Sequence, residues 1–334
     1  MTLPSHTIPS PTEENNLPTS KVGLPSRRRQ DLRNSVKLWW LLIAILTYVV
    51  GLASGYGIWG RQASAPTNTA AASTEYSALV EQINPKEGYV IPINLGDLGP
   101  QMIAAGVFDR DAFIGVYQKA GQPLTQTQMD MLDGTHNGGV VMNTENAYFL
   151  LNFFWGLGLS NNNPVLDAGA IQKNGQSGVG GFASTGGWTL ATRPIREIFS
   201  SSKYFILTAD QQKRLEGAAA AVYRPCCDNP THFPDCNHGM AMLGLLELMA
   251  SENATLDEML EAAKYVNAFW YPQQTLEQAV YFLKTEGKSY QDVDARLIVG
   301  QQYSSLSGFK QIHAVLEQNG WLPQAPSGGG SCGV

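Results

Sequence analysis

The spacing of apolar residues along most of the chain predicts α-helices. In seven segments, apolar residues recur three and four positions apart, the spacing that places side chains on one face of a helix. These segments are 112–120, 145–159, 209–223, 240–250, 256–270, 275–284 and 308–318. Three threonines also stand three positions before a Gln or Glu, which is the capping-box spacing of a helix start. The pairs are Thr125 with Gln128, Thr208 with Gln211, and Thr255 with Glu258.

Strand patterns are few by comparison. Residues 89–94 read YVIPIN, and residues 204–207 read YFIL. The first contains a proline and the second is short. Residues 160–191 are rich in Asn, Gly and Ser, which predicts a long loop over the helical body. We therefore predict one mostly α globular domain with long irregular loops over residues 74–323.

Near the N-terminus, an apolar run predicts a single transmembrane helix. Residues 38–60 contain no charged side chain. At a rise of about 1.5 Å per residue, a helix of this length spans a hydrocarbon core of about 30 Å. Aromatic residues at both ends of the run suit the membrane interfaces. A cleaved signal peptide is the alternative, but its apolar region and its leader would both be shorter.

The charges around this run predict its orientation and the side of the membrane on which the domain lies. Six Lys or Arg residues precede the run and only Arg61 follows it closely, so the N-terminus is expected in the cytoplasm. Residues 1–37, rich in Pro and Ser, are predicted to be a disordered cytoplasmic tail, and residues 61–73 a linker. Residues 62–334 hold 15 basic and 25 acidic side chains. Such an acidic extracytoplasmic domain argues against binding to nucleic acid.

The four cysteines are concentrated in one short segment and one tail. Cys226, Cys227 and Cys236 lie within residues 223–239, where three prolines predict a rigid loop between two helices. We expect Asp235 or Asn237 to cap the second helix. Cys236 would then lie at or just before a helix N-terminus, where a thiolate is favoured.

The same segment contains a candidate set of metal ligands. Cys226 or Cys227, with Cys236, His238 and possible help from His232, would suit zinc, whereas Cu(I) or a mercury-like ion needs fewer ligands. Neighbouring side chains usually diverge, so simultaneous ligation by Cys226 and Cys227 is expected to be difficult. The spacing also differs from the paired CxxC of zinc ribbons. Met240, Met242 and Met249 follow, and their thioethers are soft ligands that copper accepts. Because Met242 and Met249 fall at helical spacing with leucines, we predict core packing rather than ligation for these methionines.

The fourth cysteine, Cys332, lies in the glycine-rich C-terminal segment 324–334. Three consecutive glycines predict a flexible tail, so Cys332 is expected to be a mobile exchange thiol. It could carry a soft ion to and from the loop cysteines or resolve a disulfide formed there.

These features favour a membrane-anchored protein that binds or transfers a soft metal or metalloid, with a metal or thiol exchange partner protein. The alternative is a thiol–disulfide oxidoreductase in which Cys236 attacks and Cys332 resolves. A third possibility is a structural protein stapled by disulfides, because thiols outside the cytoplasm meet oxidising conditions. Four cysteines allow three fully paired connectivities, and the sequence does not choose among them. Whether the protein is an enzyme stays open at this point.

Overall fold

A computed structural model describes residues 69–175 and 178–323, with side chains from residue 76 onward. The helices of these ranges are α1 Thr69–Ile83, α2 Leu98–Ala104, α3 Arg110–Lys119, α4 Gln126–Asp133, α5 Ala147–Ser160, α6 Pro164–Asp167, α7 Ala170–Asn174, α8 Ala183–Gly186, α9 Ile195–Ile198, α10 Ala209–Ala221, α11 Asn237–Ser251, α12 Leu256–Trp270, α13 Pro272–Glu286, α14 Ala295–Ile298, α15 Gln301–Ser304 and α16 Leu306–Asn319. Short 3-10 turns lie at Val179–Gly181 and Tyr290–Asp292.

The prediction of a mostly helical fold is confirmed. Helix α12 has the predicted bounds, and the other six predicted helices are present with ends shifted by a few residues. At each of the three predicted capping boxes, the threonine side chain accepts from the N3 backbone N–H. The side-chain oxygen of the N3 Gln or Glu accepts in turn from the backbone N–H of the threonine. Local sequence signals therefore placed these helix starts correctly.

Of the two runs with a strand-like pattern, residues 89–94 contain a strand and residues 204–207 do not. Strand β1, Tyr89–Ile91, pairs antiparallel with β2, Val140–Met142, which the sequence pattern did not indicate. Residues 204–207 form no strand, and Ile206 in this segment is 78% exposed. The backbone N–H of Tyr204 instead donates to the side-chain oxygen of Asn161 at 3.3 Å. An apolar run becomes a strand only where a neighbouring strand accepts its backbone bonds.

The segment expected to be one long loop, residues 160–191, contains short helical turns where it is described. Two tryptophans hold it against the helical body. Trp155 donates its indole N–H to the Ser184 carbonyl at 2.6 Å, and Trp188 donates to the Val107 carbonyl at 2.6 Å. The two indole rings lie 4.9 Å apart in an edge-on arrangement. Because both indoles bury their polar ends on backbone oxygens, this segment is part of the packed body.

Two buried helices, α5 and α11, cross at the centre of the core. A Cβ placed on Gly158 of α5 would overlap the backbone oxygen of Met240 and lie 2.8 Å from the backbone nitrogen of Gly244 in α11. The helices therefore touch backbone to backbone at these glycines. Met240, Met242 and Met249 are at most 1% exposed, which confirms their predicted core positions. The N-terminus of α11 carries the cysteine segment, so the core fixes one side of that segment.

Within the described ranges, helices long and apolar enough to cross a bilayer are not found. The predicted transmembrane run 38–60, the predicted tail 1–37 and the segment 324–334 lie outside the described residues. Helix α1 begins at Thr69, inside the stretch 61–73 that was expected to be a linker.

A carboxylic acid is completely buried in the core beside Asn161. Glu247 of α11 accepts a hydrogen bond from the Asn161 side-chain nitrogen at 3.1 Å. Its second oxygen has no hydrogen-bond partner among the described residues. Burial raises the pKa of Glu247 well above its usual value near 4.5, so the folded chain favours the protonated acid more strongly than the unfolded chain does.

We expect Glu247→Gln to stabilise the protein at pH 7 by about 1 kcal/mol or more. Below pH 4.5, Glu247 is protonated in both the folded and the unfolded chain and carries no ionisation penalty. As the pH rises, the unfolded chain loses this proton first, so the native acid destabilises the fold by up to about 1.4 kcal/mol per pH unit. Glutamine keeps the shape and cannot ionise.

Urea unfolding of the full-length chain in detergent at pH 4 and pH 7 measures this effect. The stabilisation produced by Glu247→Gln should vanish at the lower pH. Glu216→Gln, the same substitution at an exposed position of α10, is the matched control. A wild-type chain and a Glu247→Gln variant with the same pH dependence would contradict the prediction.

Candidate functional site

The cysteine segment is a loop between α10 and α11 that is anchored against the start of α16. Asp228 accepts hydrogen bonds from the Ser307 backbone N–H at 2.7 Å and from its hydroxyl at 2.8 Å. The Cys227 carbonyl accepts from the Leu306 N–H at 2.9 Å. Further along the loop, the Thr231 N–H donates to the Val222 carbonyl at 2.8 Å. These bonds hold the loop in one shape and fix the positions of its cysteines.

The loop brings three sulfur atoms together. The Cys226 sulfur lies 3.5 Å from that of Cys236 and 4.0 Å from that of Cys227, and all three lie within 4.8 Å of one another. A disulfide bond would require about 2.05 Å, so these are three free thiols. The adjacent cysteines converge, and the expectation that their side chains would diverge was wrong. The two cysteines lie in a turn over residues 224–227, which is closed by a hydrogen bond from the Cys227 N–H to the Arg224 carbonyl.

The sulfur spacing suits a single thiolate-bound ion. At a metal–sulfur distance of about 2.3 Å, two thiolates lie about 3.8 Å apart around a tetrahedral ion and about 4.0 Å apart around a trigonal one. The separations of the Cys226 sulfur from those of Cys236 and Cys227, 3.5 Å and 4.0 Å, bracket these values. Cys226, Cys227 and Cys236 could therefore hold a metal ion.

Cys236 is itself the N-cap of α11. Its backbone is extended, with φ −118° and ψ 165°, and its sulfur accepts the Gly239 N–H at 3.4 Å. The prediction that Asp235 or Asn237 caps the helix was wrong, because Asp235 pairs with an arginine and Asn237 is the first helical residue. The expectation that Cys236 lies at the helix start is confirmed.

A buried arginine that the sequence reasoning missed contacts the same sulfur. Arg224, 1% exposed, donates from Nε to the Cys236 sulfur at 2.9 Å and pairs with Asp235 at 2.6 Å. It also donates to the carbonyls of Asn229 and Phe233. A Cβ on Gly239 would lie 2.5 Å from the Arg224 guanidinium carbon, so the glycine makes room for it. The available signal was an arginine within two residues of the cysteine pair.

The proton is unevenly distributed among the three thiols. Hydrogen bonds from Cys226 and Cys227, supported by the charge of Arg224, hold the pKa of Cys236 well below its usual range. Hydrogen bonds to Cys227 and Cys236 raise the pKa of Cys226. The bond with Cys226 lowers the pKa of Cys227, but the bond to Cys236 and burial outweigh it and bring that pKa to about 11. Cys236 is thus the thiol of the group that loses its proton most readily.

An aromatic residue closes the site from the side of α12. The Tyr271 hydroxyl, on a residue 2% exposed, lies 3.1 Å from the Cys226 sulfur and donates to it. The ring of Tyr271 packs against His238, with the ring centroids 4.6 Å apart. The Cys226 side chain remains exposed, so the cluster has one open side.

The two candidate histidines are not part of the three-sulfur group found in the described residues. His238 is buried, its Nδ1 contacts the Asn237 side-chain oxygen at 2.9 Å, and burial lowers its pKa to about 4, so its ring is neutral. Neither His238 nor His232 belongs to the ligand group found in the described residues. His232 lines a surface hollow with Lys173 and Glu216. Cys332 lies outside the described residues.

Comparison of this chain with known protein families, with curated proteins and with solved structures found no match.

Proposed function

We propose that this protein binds a soft metal or metalloid ion through the thiolates of Cys226, Cys227 and Cys236, and passes it on to a partner protein. The observation that carries the proposal is the convergence of three free sulfurs within 4.8 Å of one another. Thiolates are the ligands that soft ions prefer. The loop bonds to α16 and the buried Arg224 prearrange these sulfurs, which reduces the cost of ordering them on binding.

In this proposal the protein is anchored in the cell membrane by residues 38–60, and its acidic domain faces the extracytoplasmic side. Cys332 serves as the exchange thiol that takes an ion from the loop or delivers one to it. The exposed side of Cys226 offers the point of entry for such a thiol or for a partner protein. The three loop cysteines are sufficient ligands, and the proposal does not require His232 or His238.

One distance favours a second candidate function, a thiol–disulfide oxidoreductase. The Cys236 sulfur receives hydrogen bonds from Arg224 and Gly239 and lies 3.5 Å from the Cys226 sulfur. Its thiolate would attack a partner disulfide and release one partner thiolate. Cys226 or Cys332 would then attack the Cys236 sulfur, which releases the second partner thiolate and leaves a disulfide in this chain. The partner is reduced by the two electrons that the cysteine pair loses.

A single preparation separates these functions. We would purify the full-length chain in detergent without oxygen and measure bound metal and free thiols together. Metal binding should occur at one ion per chain and should protect the three loop cysteines from alkylation. Absence of binding, with a labile disulfide that forms and is reduced reversibly, would favour the oxidoreductase. Cysteines locked in reductant-resistant disulfides would contradict both functions.

The exchange role of Cys332 makes a separate prediction. We expect Cys332→Ser to bind the ion with unchanged stoichiometry, because the three loop sulfurs remain. Transfer of the ion to an added chelator should be slower, because the incoming thiol that displaces one loop ligand is lost. Stopped-flow measurement of the transfer rate tests this, with Ser331→Ala as the matched control in the same tail. Equal transfer rates in the two variants would rule out the exchange role.

A further inference from the structure

The number of ligands around the three sulfurs limits the ions that fit. In the described part of the chain, no imidazole nitrogen or carboxylate oxygen joins the ligand group. Asp235 has one oxygen 3.8 Å from the Cys227 sulfur. That oxygen accepts from Arg224 at 2.6 Å, and the other accepts from Asn229 at 2.9 Å. Structural zinc sites take four protein ligands, whereas this group offers three, all of them sulfur.

Hydrogen-bond donors contact two of the three sulfurs and stabilise negative charge on them. Arg224 Nε and the Gly239 N–H both donate to Cys236, and the Tyr271 hydroxyl donates to Cys226. Such bonds are strongest when the sulfur keeps its negative charge. Arg224 adds a positive charge that water barely screens, because the residue is 1% exposed. Its guanidinium pairs with Asp235 through one nitrogen at 2.6 Å and donates to the Cys236 sulfur through Nε, so the carboxylate and the sulfur share this charge.

The charge of the loaded site depends on the ion. Three thiolates contribute three negative charges, so a monovalent ion leaves two, a divalent ion leaves one, and a trivalent metalloid leaves none. The hydrogen-bond donors around the sulfurs, with the buried guanidinium of Arg224 among them, stabilise most strongly the complex that keeps the most negative charge on sulfur. That complex is the one with a monovalent ion. The same donors would make only weak hydrogen bonds to the neutral complex of a trivalent metalloid, because its sulfurs are weak acceptors.

We propose that the ion is monovalent copper, held in three-coordinate form by Cys226, Cys227 and Cys236, with Arg224 as the positioning residue that offsets the charge of the complex. This inference rests on the proposed function and names the ion class of the same site. Cu(I) is soft, selects thiolate ligands and accepts fewer than four of them. The exposed edge at Cys226 leaves the ion open to exchange.

The test is a set of anaerobic titrations of the full-length chain in detergent with Cu(I), Zn(II) and arsenite, each against a competing chelator or dithiol of known affinity. We expect one Cu(I) per chain, with three sulfur neighbours by X-ray absorption at the copper edge, and displacement of bound Zn(II) by equimolar Cu(I). Tighter binding of Zn(II) or arsenite would overturn the copper assignment and leave the proposed function standing. Failure of all three ions to bind would contradict the proposed function itself.

Two variants test the charge argument. Arg224→Met should weaken Cu(I) binding by about 10- to 100-fold, whereas Arg224→Lys, which keeps the charge, should recover most of the affinity. Equal Cu(I) affinity in Arg224→Met and wild type would overturn the role of the charge.

Tyr271→Phe supplies a smaller change if the buried Arg224→Met variant fails to fold. It removes one donor to the Cys226 sulfur and keeps the ring. The ratio of Cu(I) to arsenite affinity should fall in Tyr271→Phe, because only the charged complex uses this donor fully. A ratio that stays constant or rises would contradict the inference.

Discussion

Replacing Cys236 with serine is expected to abolish soft-ion binding while leaving the fold in place. Serine is a favoured N-cap residue, so its hydroxyl can accept the Gly239 N–H that the sulfur accepts in the native chain. The hydroxyl is a hard, neutral group and a poor ligand for a soft ion. Mutation of a residue that only supports a metal ligand can lower the affinity by about 100-fold. Because Cys236 is itself a ligand, we expect a larger loss.

Competition against a chelator measures the affinity, and urea unfolding of the metal-free chain measures the fold. The unfolding free energy should change by about 1 kcal/mol or less, because the hydroxyl also accepts from Arg224. Asn237→Ser is the matched control, since it places the same side chain in the next position and keeps all three sulfurs. Native ion affinity in Cys236→Ser would exclude the three-sulfur site.

A methyl group at Gly158 is expected to destabilise the protein by about 3 kcal/mol. The added carbon of Gly158→Ala would overlap the Met240 backbone oxygen and crowd the Gly244 nitrogen. Because these are backbone atoms of a buried helix, no rotation of a side chain relieves the overlap. Helices α5 and α11 must separate, which opens gaps on either side of the crossing.

The matched control is Gly115→Ala in α3, where no atom lies within 4 Å of the added carbon. There the same substitution should stabilise the protein by about 1 kcal/mol, because alanine loses less backbone entropy in a helix. Opposite signs in urea unfolding of the two full-length variants would confirm the tight crossing. A neutral or stabilising Gly158→Ala would show that the helices are not in backbone contact.

The helices were the most predictable part of this molecule. Their apolar spacing and the capping boxes at Thr125, Thr208 and Thr255 are local features, and a helix satisfies its backbone bonds within its own segment. Strand β2 was not predictable, because three residues carry little pattern and their bonding partner is β1, about 50 residues earlier in the sequence. The short apolar run at 204–207 carries equally little information, and it forms no strand.

The three loop cysteines of the candidate site were predictable from the sequence, but their arrangement and the other residues around them were not. Clustering of Cys226, Cys227 and Cys236 in one proline-rich loop marked the location of the site. The sequence did not indicate that His238 stays outside the three-sulfur group. The direction of its ring depends on packing against Trp270 and Tyr271 from a different part of the chain. Arg224 was missed because arginines are usually exposed, whereas this one is buried and a side chain at Gly239 would collide with its guanidinium.

By itself, the sequence determined the mostly helical class, the helix starts and the position of the thiol-rich loop, since these follow from interactions between residues close in the chain. The convergence of three sulfurs, the buried guanidinium beside Cys236 and the hydroxyl of Tyr271 over Cys226 were decided only by the tertiary structure. They depend on α11, α12 and α16 meeting around one loop. Contacts between residues 40 to 80 positions apart leave no local pattern, because the packing of the whole core sets them.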